Sequence, residues 1–231
     1  MSVAEVVSGL YLVKLGPANA YLIDEGDQGL TLFDAGYPKS APDIESAIRS
    51  TGHPPADLKR IVLTHAHPDH LGSAAHLSNN GASIALHPDG AEIARAGIIH
   101  QTMTPAPGLL NWILFHLFIG MKSQEFPAFD PDEDLVDGIT LDIAGGIEVV
   151  HTPGHAANHV ALLWKHDRGV LFAGDAAANI MGLSYSLGYE DFEVGKSSLR
   201  KIADLDFEVA VFGHGKPILS SASGRFSRRF E

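Results

Sequence analysis

From Thr64 the chain reads Thr64-His65-Ala66-His67-Pro68-Asp69-His70, and four of these residues, three imidazoles and one carboxylate, are metal-ligand types. Imidazole nitrogen and carboxylate oxygen suit Zn²⁺ and other borderline divalent ions. Spacing adds to residue type. His65 and His67 are two apart, so from an extended segment they project the same way. Asp69 and His70 fall where a helix would begin and can point back toward the same spot. Further along, His155 closes His151-Thr152-Pro153-Gly154-His155. Asp175 closes Val170-Leu171-Phe172-Ala173-Gly174-Asp175, and His214 lies in Val209-Ala210-Val211-Phe212-Gly213-His214-Gly215.

These residues need elements that aim them. Arg60-Ile61-Val62-Leu63 is short, apolar and β-branched, and reads as a buried strand. Leu71-Gly72-Ser73-Ala74-Ala75-His76-Leu77 reads as a helix, so the first set sits on a strand-to-helix loop. Asp175 and His214 each follow an apolar run and a glycine that permits a sharp turn, and His155 follows Gly154. Ligands at the same ends of several strands make a rim site. Residues 9–35 alternate apolar segments with Gly and Asp turns, as hairpins do. In 40–52, Ala41, Ile44, Ala47 and Ile48 share one helical face and Gly52 can end the helix. A strand at 60–64, a helix at 70–78 and a strand at 83–86 follow. After residue 135 the order repeats, with strands near 139–151, 158–165 and 168–174, a helix near 195–203 and a strand at 208–212. Periodicity alone implies a mixed α/β fold.

The full motif set resembles the metallo-β-lactamase-fold superfamily over nearly the whole chain, on its glyoxalase II-like and lactonase-like side. Ala20-Tyr21-Leu22-Ile23-Asp24 and Leu32-Phe33-Asp34-Ala35-Gly36 also look like that family's first strands. The resemblance implies a single domain with a four-layer αββα sandwich. It implies that His65, His67 and His155 hold one metal, that Asp69, His70 and His214 hold a second, and that Asp175 bridges the two. Asp34 would be the acid behind the ligands, since a ligating imidazole usually gives its other N–H to a carboxylate or carbonyl. The cofactor expected is a pair of divalent ions, zinc first, with iron or manganese as alternatives.

The chain has 231 residues, 45% of them hydrophobic and 19% charged, which excludes a disordered chain. There are no cysteines. That excludes disulfides, thiolate ligands and a cysteine nucleophile. A formal charge of −12 argues against a nucleic-acid surface. The short basic stretch Arg225-Phe226-Ser227-Arg228-Arg229 reads as a solvated tail. The first residues lack a basic segment followed by a long apolar one, so a cytoplasmic enzyme is expected.

Residues 88–135 form an insertion between the halves. Its core, 108–121, is apolar on almost every face and too short to span a membrane, which takes about 20 residues. A helix of that kind is expected to be buried. It can wall an apolar substrate pocket, with Trp112 and Phe115 as candidates, or form a homodimer interface. Membrane binding is disfavoured because the run lacks a basic polar face. Tyr185 and Tyr189 read as packing residues, with Tyr185 kept as a candidate pocket wall. In some lactonases of the family a tyrosine soon after the bridging aspartate steadies the substrate, but positions 176–178 here are all alanine. His53, His76, His100 and His166 read as surface residues and His87 as structural. His116 reads as a core or interface histidine. His151 and His159 flank His155 and can support the site, but neither fills an unmet ligand position.

Two ions about 3.5–4 Å apart can share a water and lower its pKa from 15.7 toward about 7. A metal-bridging hydroxide would then attack a carbonyl, with Asp69 taking the proton. The expected activity is hydrolysis of a small ester, thioester or lactone with an apolar acyl part. β-Lactam cleavage is disfavoured by the missing export signal, and glutathione thioesters by the short chain after His214. Two alternatives remain: a mononuclear iron sulfur dioxygenase of the same superfamily, and a non-catalytic binding protein on the fold.

Overall fold

The computed structural model describes residues 3–118 and 124–231. Strands β1 (Ala4–Val7), β2 (Leu10–Leu15), β3 (Ala18–Asp24) and β4 (Leu30–Phe33) run as an antiparallel meander. Helix α1 (Ala41–Ser50) returns the chain to β5 (Leu58–Val62), which lies parallel to β4. Short helices α2 (Pro68–Leu71) and α3 (Ala74–Ser78) lead to β6 (Ser83–Leu86), again parallel, and α4 (Pro88–Ala96) follows. Strand β7 (Thr104–Pro105) and helix α5 (Leu109–Phe118) come next, and β8 (Glu133–Asp134) then pairs with β6. The second sheet takes β9 (Thr140–Leu141), β10 (Ile147–His151), β11 (Val160–Trp164) and β12 (Val170–Phe172). A hairpin of β13 (Ala177–Asn179) and β14 (Leu183–Tyr185) and a short β15 (Gly188–Tyr189) precede α6 (Phe192–Ala203). Strand β16 (Val209–Val211) lies parallel to β12, and α7 (Ala222–Phe230) closes the order. The sheets read β1-β2-β3-β4-β5-β6-β8 and β16-β12-β11-β10-β9.

Alternation along the strands builds the layers. On β3, Ala20 and Leu22 face a core shared with Ile44 of α1, Leu77 of α3 and Ile93 of α4. Tyr21 and Ile23 face the other way, into a core shared with Val149, Leu162 and Phe172 of the second sheet. Ala161 and Leu163 on β11 point outward again, against Leu199 of α6 and Phe226 of α7. Three apolar cores therefore separate four layers, helix, sheet, sheet and helix, in the expected αββα order. The α1 face is also as expected: Ala41, Ile44, Ala47 and Ile48 are its buried residues.

The helix expected at 70–78 is split. A side chain at Gly72 would strike the backbone of Pro38, Pro68 and Tyr37, so the chain presses backbone on backbone there. Gly72 N–H donates to Gly36 O at 2.8 Å, and Ser73 Oγ donates to Tyr37 O at 2.6 Å, in place of a continuous helix.

The expectation that 108–121 is buried fails over 108–117; residues 119–121 lie outside the described ones. Leu109 is 76% exposed, Trp112 52% and Leu117 64%, while Phe115 falls to 8%. The reason is geometric. Ile93, Ala94, Ile99 and Phe126 join the first outer core. Within 88–135, β7 pairs with β15, and α5 beyond it meets the body through Phe115. His116 is exposed rather than in a core, with its Nδ1 donating to Trp112 O at 2.7 Å. Among the described residues, no helix is long and apolar enough to cross a membrane.

Candidate metal centre

The strands β4, β5, β12 and β16 are parallel pairs, and β10 runs antiparallel to β11, which runs antiparallel to β12. The loops after β4, β5, β10, β12 and β16 thus leave one edge of the sandwich. They carry Asp34, the 65–70 cluster, His155, Asp175 and His214. Val160 N–H donates to Thr64 O at 2.8 Å and joins the two sheets at that edge.

There the side chains converge. His65, His67 and His155 form one group whose ligand atoms lie within 4.8 Å of one another, and Asp69, His70 and His214 form another. His65, His70 and Asp175 meet the same limit and join them. His67 Nδ1 lies 3.0 Å from His65 Nε2 and 3.0 Å from His155 Nε2. Two nitrogens bound to one tetrahedral zinc at about 2.0–2.1 Å stand roughly 3.3 Å apart, so this triad is near the spacing an ion needs. Asp175 Oδ2 lies between the groups, 3.6 Å from His155 Nε2, 3.2 Å from His214 Nε2 and 3.7 Å from His70 Nε2. Asp69 Oδ2 is 3.5 Å from His214 Nε2.

The outer nitrogens settle which atoms face inward. A carbonyl can only accept, so His155 Nδ1–H donates to Gly188 O at 2.8 Å, and His214 Nδ1–H donates to Pro17 O at 3.0 Å. His70 Nδ1–H donates to Asp34 Oδ2 at 2.9 Å. His65 Nδ1–H donates to Thr64 Oγ1 at 2.9 Å, and that hydroxyl donates to Asp34 at 3.0 Å. Each of these four rings therefore turns its Nε2 toward the centre. Asp34 supports one imidazole of each triad, His70 directly and His65 through Thr64. Its backbone is left-handed, with φ 58°, and its carboxylate also accepts from Thr64 N–H at 2.8 Å.

Burial drives His65 well below the usual imidazole range, helped by His70 and His67. It lowers His67 to about 4 and His155 to about 3, so these three are neutral, the form that binds metal. Burial also lowers His70 and His214, but carboxylates outweigh it and hold both above their usual range, Asp175 first. Burial raises Asp69 and Asp175, yet neighbouring imidazoles hold both below theirs. The centre is built to contain positive charge. His70 Nε2 and Asp175 Oδ1 are buried with no hydrogen-bond partner. Orphaned nitrogen and oxygen atoms in an all-N/O donor set fit a divalent metal.

All seven ligand-type residues singled out from sequence, and Asp34 behind them, thus come together. The pocket candidates do not join them. Phe115 packs from α5 against Gly188, where an added Cβ would be 2.6 Å from its ring. Trp112 borders a groove with residues 105–109. Tyr185 packs on Phe192 at 5.0 Å and Phe230 at 5.3 Å, beneath the Arg229 guanidinium. The supporting residues had no local signal. Asn158 Oδ1 accepts from Ala66 N–H at 2.7 Å and braces the first ligand loop. Asn19 Nδ2 and Tyr21 OH donate to Phe212 O at 2.8 and 2.9 Å and clamp the His214 loop. At Gly213 a side chain would strike Asp175 Oδ1 and His70 Cε1. Such pairs lie up to 193 residues apart in the chain.

The family model described as the Metallo-beta-lactamase superfamily matches residues 13–214. Thioesterase pkgB of Emericella nidulans is 28% identical over 210 residues, which is 90% of this chain and 48% of that protein. Hydroxyacylglutathione hydrolase of Tolumonas auensis is 32% identical over 67% of this chain and 45% of its own length. The chain therefore spans about half the length of these curated relatives. Among solved structures, BJP-1, a subclass B3 metallo-beta-lactamase of Bradyrhizobium japonicum, superposes with a TM-score of 0.74. It covers 98% of this chain and 88% of its own at 21% identity, a likeness of fold.

Proposed function

The chain belongs to the metallo-beta-lactamase superfamily, and on that premise we propose that it is a metal-dependent hydrolase of small acyl substrates, an ester, thioester or lactone. The observation that carries this reading is the single carboxylate oxygen, Asp175 Oδ2, within 3.7 Å of an imidazole nitrogen from both triads. One side chain so placed can serve two ions. Zinc is the first expectation, because the donors are imidazole and carboxylate without sulfur.

When bound, such ions supply Lewis acidity to a carbonyl oxygen and acidify water. The chain's own part is to orient and to move a proton. His65, His67 and His155 hold one side of the cleft, and His70, Asp69 and His214 the other. Asp69 is the more open carboxylate, with its side chain 21% exposed against 6% for Asp175. Its carboxylate oxygens are placed to take the proton released as water adds to the carbonyl, and to return it to the leaving group. Asp34 stays buried and keeps the tautomers of His65 and His70.

The acyl part is proposed to lie along the groove beside Trp112. Strand β7, at one end of this groove, pairs with β15, whose Gly188 carbonyl holds His155, so the groove connects to the first triad through that strand pair. Two of the relatives are named for thioester-cleaving enzymes, which puts thioesters first among the substrates. The test is metal quantification on freshly purified protein joined to a panel of acyl thioesters, lactones, aryl esters and a β-lactam. Two ions per chain and metal-dependent thioester cleavage are expected. One iron per chain, with oxygen uptake, would replace the hydrolase by a sulfur dioxygenase.

A further inference from the structure

We infer that His159 is a positioning residue for the metal centre, fixing the backbone of Asp175, and so the carboxylate common to both triads, without ligating metal itself. The inference rests on the metal-centre reading above. His159 is fully buried, with its ring 5.2 Å from that of His65 and 6.1 Å from that of His155. An imidazole so close to a metal cleft would ordinarily be counted as a ligand. Its hydrogen bonds say otherwise. Asp175 N–H donates to His159 Nε2 at 3.0 Å. A backbone N–H can only donate, so Nε2 spends its lone pair there. The ring proton is then on Nδ1, which donates to Thr152 Oγ1 at 2.8 Å. Both nitrogens are used and neither is left for a metal.

The surroundings show that this contact is built. A Cβ on Gly174, whose φ is +50°, would stand 2.6 Å from His159 Nε2 and 3.0 Å from Thr64 Cβ. The glycine lets the ring approach the Asp175 amide. Thr152 N–H donates to His159 O at 2.9 Å, so the ring ties the turn before His155 to the loop that carries Asp175. From the other side, Ser186 Oγ donates to Asp175 O at 2.7 Å. The Asp175 backbone is thus held at its N–H by His159 and at its carbonyl by Ser186, and its carboxylate has little freedom to drift from the three imidazoles it faces. A shift of a fraction of an ångström there would change the spacing at both triads together.

The experiment measures Zn²⁺ affinity by competition with a chromophoric chelator, and the visible spectrum of the Co²⁺-loaded full chain. His159→Ala is expected to weaken Zn²⁺ by about 10–100-fold, the usual cost of losing a residue that orients a ligand, and to alter the Co²⁺ bands. His159→Gln, whose side-chain carbonyl can reach the same amide, should recover part of the loss. Thr152→Val leaves the ring in place but removes the acceptor for Nδ1–H, and should give a smaller loss in the same direction; it carries the test if His159→Ala does not fold. The double variant with Asp175→Ala should bind no more weakly than Asp175→Ala alone. Unchanged affinity and Co²⁺ bands in His159→Ala, with only lower stability of the metal-free protein, would reduce His159 to packing and overturn the inference, as would additive losses in the double variant. If the unaltered protein binds neither Zn²⁺ nor Co²⁺, the metal-centre reading itself falls first.

Discussion

The rim of the sandwich and helix α5 handle solvent in opposite ways. At the rim, polar groups are taken out of water and the outer atoms of the rings are answered, while His70 Nε2 and Asp175 Oδ1 face the centre unpaired. His65, His70, His155 and His214 each give their outer nitrogen to a fixed acceptor. On α5, apolar groups are left in water: Leu109, Leu110, Trp112, Ile113 and Leu117 are all exposed. Burying an unanswered polar group costs about 1–3 kcal/mol, so the rim can exist only with its partners in place. Leaving one large apolar side chain wholly in water forgoes about 1.5–3 kcal/mol, and α5 forgoes part of that at each of these five residues, which are 41–76% exposed. The outer side of the rim is therefore defined by what the chain supplies to itself. The exposed side of α5 points to something the chain does not supply, here read as the acyl part of a substrate.

The largest effect belongs to the rim. In Asp175→Ala the oxygen within reach of both triads is gone, and both ions should be lost on dialysis against chelator. Activity should fall by more than the roughly 100-fold seen when a supporting residue is removed. Metal content and turnover equal to the unaltered protein would end the assignment of the seven ligands.

Asp34→Ala is the next step down. Metal affinity should weaken by about 10–100-fold, and both ions should weaken together, because Asp34 backs His70 directly and His65 through Thr64. Thr64→Val should separate the two, loosening the ion held by His65 more than the other in a stepwise zinc titration. If Asp34→Ala weakened one ion alone, the shared support described here would be wrong.

Trp112→Ala tests the other side of the comparison. A surface change of this kind should alter stability by only about 0.5 kcal/mol, while lowering kcat/KM for long acyl chains by several-fold more than for short ones. Light scattering on the same samples separates the rival reading. A shift from dimer to monomer with chain-length preference intact would make α5 an interface between copies.

The smallest effect expected lies outside both regions. His53 sits 3.0 Å from Asp57 and 3.2 Å from Asp24. The hydrogen bond His53 donates to Asp57 raises its pKa above the usual value, burial opposes this, and Asp24 adds to the rise. A raised value means that its stabilisation is complete below the unfolded pKa of about 6.5 and is lost as pH rises through the folded one. His53→Gln should therefore lower the melting temperature near pH 5.5 and leave it unchanged near pH 9, with metal content the same throughout. A loss that grew with pH would mean that His53 is not stabilised in its charged form.

Much of this was legible in the chain. The ligand types around Thr64, and at 155, 175 and 214, could be read because a strand's period of two and a glycine at its end are local properties. The face of α1 followed from a helical spacing of the same local kind. Their assembly into an αββα sandwich with two triads came from a family resemblance, since alternation alone allows many mixed folds. What the tertiary structure decided was everything that depends on distant partners. Which nitrogen of each ring faces the centre was set by Pro17, Asp34, Thr64 and Gly188, and three of these lie far from the ring they hold. The break at Gly72 came from backbone pressing on backbone across the 36–38 loop. The exposure of α5 was invisible because an apolar run specifies that burial is favourable, and not whether the fold has a surface to offer it.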